Sequence, residues 1–350
     1  MSGTHKSRGK NGLMKTDYKA NRKSFIITLS VLSVATVLLF FVSVCVGRYS
    51  VSIADVAKFF TGQDIPDISE RVIVYLRIPR TLLSILVGCA LAASGAVYQS
   101  AFNNKLVSPD LLGVSSGSSV GACFAILLGL SGVLISLFSF IMGFVAVALT
   151  VFIAKIFKNK SMVVLLLAGI AVGGLMSSGV GLMKYLADDE MKLAEMTYWL
   201  LGDLSSATMK EVYIMLGVVV VSCTVIILLS WRVNIISLGA KESKSLGVNY
   251  KVNMAVLIVC ATLLTASAVS VSGTIGWIGL VIPNVVRLIV GSDNKKVLPI
   301  SMLAGAAFMI IVDMLARSLA PNEIPLSVIT GIIGTPVFIY AIFKRRKELG

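Results

Sequence analysis

The sequence predicts an all-α, polytopic membrane protein of ten transmembrane helices. Apolar residues make up 57% and charged residues 14% of the 350, with a mean hydropathy of +0.93. That composition excludes a soluble enzyme. Apolar runs of about twenty residues, the length of one membrane crossing, recur with short polar breaks. The basic residues behind the net charge of +14 sit in short clusters between these runs. This is the pattern of loops obeying the positive-inside rule. Membrane lipid is therefore the expected surrounding, and nucleic acid is not a partner.

Residues 1–24 are polar and basic, and they read as a disordered cytoplasmic tail. The membrane domain is expected over 25–344, with a cytoplasmic end at 345–350. The first span is expected over 25–46, longer than a signal-peptide core and followed by Gly47-Arg48-Tyr49 rather than a small-residue cleavage site. Residues 47–76 carry Asp55, Asp64, Asp67 and Glu70 and read as an external loop. The second span, 80–102, follows Arg77-Ile78-Pro79-Arg80. Within it Gly88, Ala92 and Gly95 recur at near-helical spacing, which lets a neighbouring helix approach closely. The third, 110–130, is rich in Gly and Ser and weakly hydrophobic for a lipid-facing helix. It is expected inside the bundle, with Gly113, Ser115, Ser116 and Gly117 lining a pathway.

The fourth span, 134–154, ends at the basic loop of Lys155, Lys158 and Lys160, and the fifth follows over 162–183. The segment 184–211 is acidic and reads as external, with a short helix around Trp199. After the sixth span (212–231) comes the longest internal polar stretch, 232–251. Spans seven to ten are expected over 252–272, 274–290, 297–316 and 325–343, before the basic end at 344–347. An even count puts both termini on the cytoplasmic side, where most of the 31 Lys and Arg gather.

Several chemistries are missing. No GxxxxGK[ST] occurs, so the chain has no P-loop phosphate cradle. The single histidine, His5, lies in the tail. The five cysteines (Cys45, Cys89, Cys123, Cys223, Cys260) lie in apolar runs without CxxC spacing, which argues against a zinc or haem site. Neither a Ser/His/Asp set nor HExxH occurs, which argues against a membrane-embedded enzyme. Acids are nearly absent from the spans, with Asp110 and Asp313 near span ends. Ion-coupled carriers usually use ionisable or unwound sites at the midplane. Energy supplied by another subunit is the economical reading, and a self-contained secondary transporter is the alternative.

Three ordered segments carry a resemblance: RIPRTLLSILVGCALAASGAVYQSAFNNKLVSPDLLGVSSGSSVG at 77–121, IISLGAKESKSLGV at 235–248, and SGTIGWIGLVIPNVVRLIVG with IVDMLARSLAPNEIPLSVITGIIGTPVF across 272–338. Together they resemble the permeases of type II ABC importers, the FecCD family of iron-siderophore, haem and cobalamin uptake. The resemblance implies a ten-helix permease fold in the bacterial cytoplasmic membrane, dimerising with an identical or related permease subunit around a central path. It implies two ABC ATPase subunits docked inside, using ATP and Mg, and an extracytoplasmic substrate-binding protein outside. The chain itself would then bind no cofactor or metal and hydrolyse nothing. The cargo implied is an iron(III)-siderophore complex, with haem or cobalamin as alternatives.

Position by position, Arg77, Arg80 and Arg317 match external arginines that receive acidic residues of the binding protein. Their predicted place at outer span ends suits a bidentate fork to a carboxylate. Ser237, Leu238, Gly239, Ala240, Lys241, Glu242, Ser243, Lys244, Ser245, Leu246 and Gly247 match the segment that couples to the ATPase, within a cytoplasmic stretch of 234–250. Asn104 and Leu106, with Ser161 and Met162, match the cytoplasmic gate. The sequence departs from the family at Lys105, where a proline is usual, and at Asn284, where a histidine is common.

Overall fold

The computed structural model describes residues 6–47, 49, 51–157 and 162–349. Ser161, one of the expected gate residues, lies outside them. Among the described residues the chain forms helices and no strand. Helix α1 (Lys6–Cys45) has its membrane-length apolar part over Lys23–Cys45. The acidic loop expected over 47–76 is largely helical. It holds α2 (Ile53–Phe60), capped by the Ser52 hydroxyl accepting from the Asp55 N–H, and then α3 (Asp67–Arg71).

Helix α3 runs through a π-helical turn, Val72–Arg77, straight into α4 (Ile78–Ala101), so the helix carrying the second span is continuous over 35 residues, Asp67–Ala101. Placing its start at residue 80 treats Pro79 as the boundary. In the structure the wider π turn, closed by Ile78 N–H to the Ile73 carbonyl, accommodates a ring that an α-helical turn would clash with.

A 3₁₀ turn, Pro109–Leu112, leads into α5 (Val114–Leu127), followed by α6 (Gly132–Ile156) and α7 (Met162–Tyr185). Next come α8 (Glu190–Leu201), at the place predicted for a helix around Trp199, and α9 (Met209–Leu228). Two short helices follow, α10 (Ser230–Ile236) and α11 (Ala240–Ser245). The chain closes with α12 (Tyr250–Ser272), α13 (Ile278–Val290), α14 (Asn294–Ser318) and α15 (Leu326–Leu349). Among the described residues eight helices are long and apolar enough to cross a membrane, while α5 and α13 are shorter apolar helices. The third and eighth expected spans are these two short ones.

Irregular backbone precedes both. Before α13 it is held by protein groups. The Thr274 hydroxyl donates to the Leu200 carbonyl, and the Asp203 N–H donates to the Ser272 carbonyl (2.9 Å), which ties the segment to the turn after α8. Non-helical backbone in a membrane domain needs such internal partners.

Helix α4 is the centre of the bundle. Its apolar window is 83% buried, against 6% for that of α1. Lipid offers no hydrophobic drive for helix association, so close backbone approach and hydroxyl pairs do the packing. A Cβ on Gly88 would lie 2.2 Å from the Gly305 carbonyl oxygen of α14, and a Cβ on Gly95 would lie 1.9 Å from the Gly279 carbonyl oxygen of α13. On another face, Ser94 pairs with Thr265 (2.6 Å) and Tyr98 with Thr262 (3.2 Å), joining α4 to α12. The small-residue pattern read from the sequence is therefore the seam on which α13 and α14 close.

Candidate functional site

The candidate residues gather at the two ends of α4. Its 24 residues put those ends about 36 Å apart at 1.5 Å rise per residue. Helix α14 runs antiparallel to it, placing Asp313 and Arg317 beside Arg80 at one end and Asn294 beside Ser100 at the other.

At the first end the three predicted arginines do come together, but they point inward. Arg77, Arg80 and Arg317 are only 6%, 7% and 4% exposed. Arg80 donates from Nε to Asp313 Oδ1 (2.7 Å) and presents its two terminal nitrogens to Glu323, at 3.0 and 2.9 Å. Arg317 lies 3.3 Å from Asp313 Oδ2 through Nε, and its Nη2 donates to the Ser43 carbonyl (2.9 Å) and hydroxyl (2.5 Å). Arg77 donates to the Tyr49 carbonyl (3.1 Å). The bidentate fork expected to face a partner is thus occupied by Glu323 of the same chain.

Three guanidinium groups share two carboxylates, and Nη1 of both Arg77 and Arg317 makes no hydrogen bond among the described residues. The cluster carries excess positive charge. It joins α1, α4, α14 and the segment before α15. Asp313 and Glu323 were not singled out as partners from sequence. The i,i+4 spacing of Asp313 and Arg317 was a usable signal, whereas Glu323 has none, because its loop is positioned only by the fold.

At the opposite end, residues 237–247 form a compact exposed unit. Gly247, at φ 73°, ends α11 in a Schellman arrangement: its N–H bonds the Lys244 carbonyl (3.1 Å) and the Val248 N–H bonds the Ser243 carbonyl (2.9 Å). Ser243 is buried and donates back to the Ile235 and Gly239 carbonyls, at 3.1 and 2.6 Å, which folds α11 against the end of α10. This leaves Lys241, Glu242, Lys244 and Ser245 exposed, with Leu238 and Leu246 59% and 57% exposed. Two leucines thus stand outward among charged residues.

The loop after α4, expected to form the gate, lies at the same end. Helix α4 closes with Asn103 at φ 46°, the Asn104 N–H on the Gln99 carbonyl (3.0 Å), and the Asn103 N–H on that of Ser100 (3.1 Å). Asn104 Oδ1 then accepts the Leu106 N–H (3.0 Å), and the Leu106 side chain is exposed. The two departures from the family pattern meet here. Asn284 on α13 donates to the Lys105 carbonyl at 2.9 Å, so a hydrogen bond restrains the loop where proline would restrain its φ. Met162, at the start of α7, packs half-buried against the apolar core.

The expected lining splits. Gly117 is buried where α5 meets α6, a Cβ there lying 2.5 Å from Ala146 Cβ, and Gly113 is the buried left-handed residue that starts α5. Ser115 and Ser116 are half-buried, and Ser115 donates to Asp110. The helix packs inside the bundle, with packing accounting for Gly113 and Gly117 and partial accessibility left at Ser115 and Ser116.

Residues 35–344 match the FecCD transport family. The chain is 36% identical over 312 residues, 87% of its length and 92% of the relative's, to the molybdate import system permease protein MolB of Haemophilus influenzae. It is 34% identical over 326 residues, 93% of its length and 99% of the relative's, to a probable iron chelatin transport system permease protein of Helicobacter pylori. A solved structure described as the inward-facing conformation of a metal-chelate type ABC transporter superposes with a TM-score of 0.82 at 36% identity, covering 90% of this chain and 98% of that one.

Proposed function

The chain belongs to the FecCD transport family and is a membrane-embedded permease of a type II ABC importer; on that premise we propose that it carries an iron(III)-siderophore complex. In this reading a binding protein delivers the cargo on the side of Arg77, Arg80 and Arg317. Two ATPase subunits grip 237–247 on the other side, hydrolysing ATP with Mg, and a second permease subunit completes the path. The permease holds no cofactor or metal of its own. Both termini lie on the cytoplasmic side of a bacterial cell membrane, where Lys105, Arg232, Lys241, Lys244, Lys295 and Lys296 collect.

The observation that carries the importer reading is the exposed 237–247 unit, with Leu238 and Leu246 outward, on a chain without a nucleotide motif of its own. The inward turn of the arginines gives them a further task. They hold α1, α4, α14 and the 319–325 segment in register, so that the binding protein meets a rigid face carrying excess positive charge. The iron-chelate cargo is supported by the iron chelatin permease of Helicobacter, and the solved transporter supports a metal chelate without specifying the metal. Haem and cobalamin are the alternatives from the sequence resemblance, and the molybdate relative adds a third.

The test is co-purification of the chain with the ATPase from its own strain in mild detergent. Paired substitution Leu238→Ser and Leu246→Ser is expected to lower the ATPase recovered about tenfold, the loss of one to two kcal/mol of apolar contact, without changing permease yield. Full recovery in the variant sinks the coupling assignment. Uptake of radiolabelled iron as a ferric siderophore, competed with haem, cobalamin or molybdate, then decides the cargo. Uptake that follows molybdate and ignores the ferric complex overturns the iron reading.

A further inference from the structure

The gate loop and the ATPase-facing unit lie at the same end of the bundle but in different elements, and one polar chain joins them. It begins at Asn234 on α10, three residues before the exposed unit. The Asn234 amide donates from Nδ2 to Asp293 Oδ1 (2.7 Å) and accepts the Asn294 N–H on Oδ1 (2.8 Å). Its orientation is fixed by these partners, since the flipped amide would face a carboxylate with its oxygen and an N–H with its NH₂. Asn234 thereby satisfies one of the unpaired N–H groups at the start of α14.

Asn294 is 2% exposed and continues the chain inward. Its Oδ1 accepts the Ser100 hydroxyl of α4 at 2.6 Å and lies 3.4 Å from Arg287 Nη1 of α13. Arg287 is itself buried, without a carboxylate within 4 Å among the described residues, and donates from Nη2 to Ser100 Oγ (2.9 Å) and the Ala96 carbonyl (3.3 Å). A buried cation held by neutral acceptors is sensitive to the loss of any of them. One turn earlier on α13, Asn284 holds the Lys105 carbonyl of the gate loop. Gln99, the residue before Ser100, donates to the Gly279 and Leu280 carbonyls, both at 3.2 Å. Helix α13, the end of α4 and the gate loop are thus clamped into one body, and Asn294 with Asn234 ties that body to α10.

We infer that Asn234 and Asn294 form the relay by which movement of the 237–247 unit reaches the gate loop at Asn104–Leu106. They are positioning residues. The inference rests on the reading of 237–247 as the ATPase-gripping unit. An apolar contact between α10 and the bundle would transmit force but could slide. The Asn234 amide engages both a carboxylate and a helix N-terminus, so a displacement of α10 must carry α14 with it or break two hydrogen bonds.

The test uses the permease purified with its own ATPase and reconstituted into lipid. Leu106→Cys serves as a gate reporter, labelled by a membrane-impermeant maleimide, and the parent complex supplies the background from native cysteines. Trapping with MgATP and vanadate is expected to change the labelling rate at least about fivefold in the reporter. In the same background Asn294→Ala and Asn234→Ala should each reduce that change below about twofold, while the ATPase stays bound and ATP hydrolysis continues. Asn294→Asp keeps the oxygen that Ser100 and Arg287 use, and should restore the response.

An undiminished labelling change in either alanine variant overturns the relay. A lost response accompanied by loss of the ATPase or collapse of complex yield also overturns it, in favour of a merely structural role. Absence of any ATPase from the unsubstituted chain is a different result. It overturns the coupling reading itself, and the relay with it.

Discussion

Asp313→Ala is expected to destabilise the folded protein by about 3–5 kcal/mol, the range for removing one partner of a buried ion pair. Asp313 is fully buried and its carboxylate faces Arg80 on one oxygen and Arg317 on the other. Without it Arg317 keeps only the neutral groups of Ser43, and Arg80 keeps Glu323 alone. Uncompensated charge is left where water cannot reach it. The measurement is the melting of purified protein in detergent, with a fall on the order of 10 °C expected. Glu323→Ala provides the comparison. The Glu323 side chain is 30% exposed, so its loss is screened and should cost about 1 kcal/mol or less. Equal effects at the two positions would remove Asp313 from the centre of the cluster.

Gly95→Val should disrupt the bundle by about 3 kcal/mol, the upper end of ordinary overpacking. A side chain there begins 1.9 Å from the Gly279 carbonyl oxygen, and the obstacle is the backbone of α13, which cannot rotate away as a side chain can. Pushing α13 outward also breaks the Gln99 bonds to Gly279 and Leu280 and strains the Asn284 bond to the Lys105 carbonyl. Loss of monodisperse protein on gel filtration is the expected readout. Gly217→Ala on α9 is the control. A Cβ there meets nothing within 4 Å, so helix propensity alone should make it neutral or stabilising by about 0.5–1 kcal/mol. A Gly95→Val protein that melts within about 2 °C of the parent would show that α13 is free to move.

The ends of the helices were less legible than their existence. The helix that carries the second span begins at Asp67 rather than 80 because a π turn admits Pro79, and hydropathy carries no signal for that turn. The external loop expected before it is partly helical because Ser52 caps α2 and its acids Asp55, Asp67 and Glu70 fall in the first turns of α2 and α3, where they complement the helix dipole. The segment 237–247 was legible because glycines at both ends of a short polar run have one economical conformation. Asn104 and Leu106 came from resemblance, and the bond between Asn284 and Lys105 that restrains their loop joins residues 179 apart in sequence.

The sequence by itself determined the class, the run of spans and their small-residue seams, because these follow from local composition and periodicity. It also placed the basic residues in short clusters between the apolar runs and carries no GxxxxGK[ST] motif. Only the tertiary structure decided which way the arginines point. A guanidinium at a span end reads the same whether it snorkels, faces a partner or turns inward. The choice depends on carboxylates that folding brings from 233 and 243 residues away. The Asn234–Asn294 connection lies beyond sequence reading for the same reason. Asparagine is an ordinary loop residue until a distant helix end needs both faces of its amide.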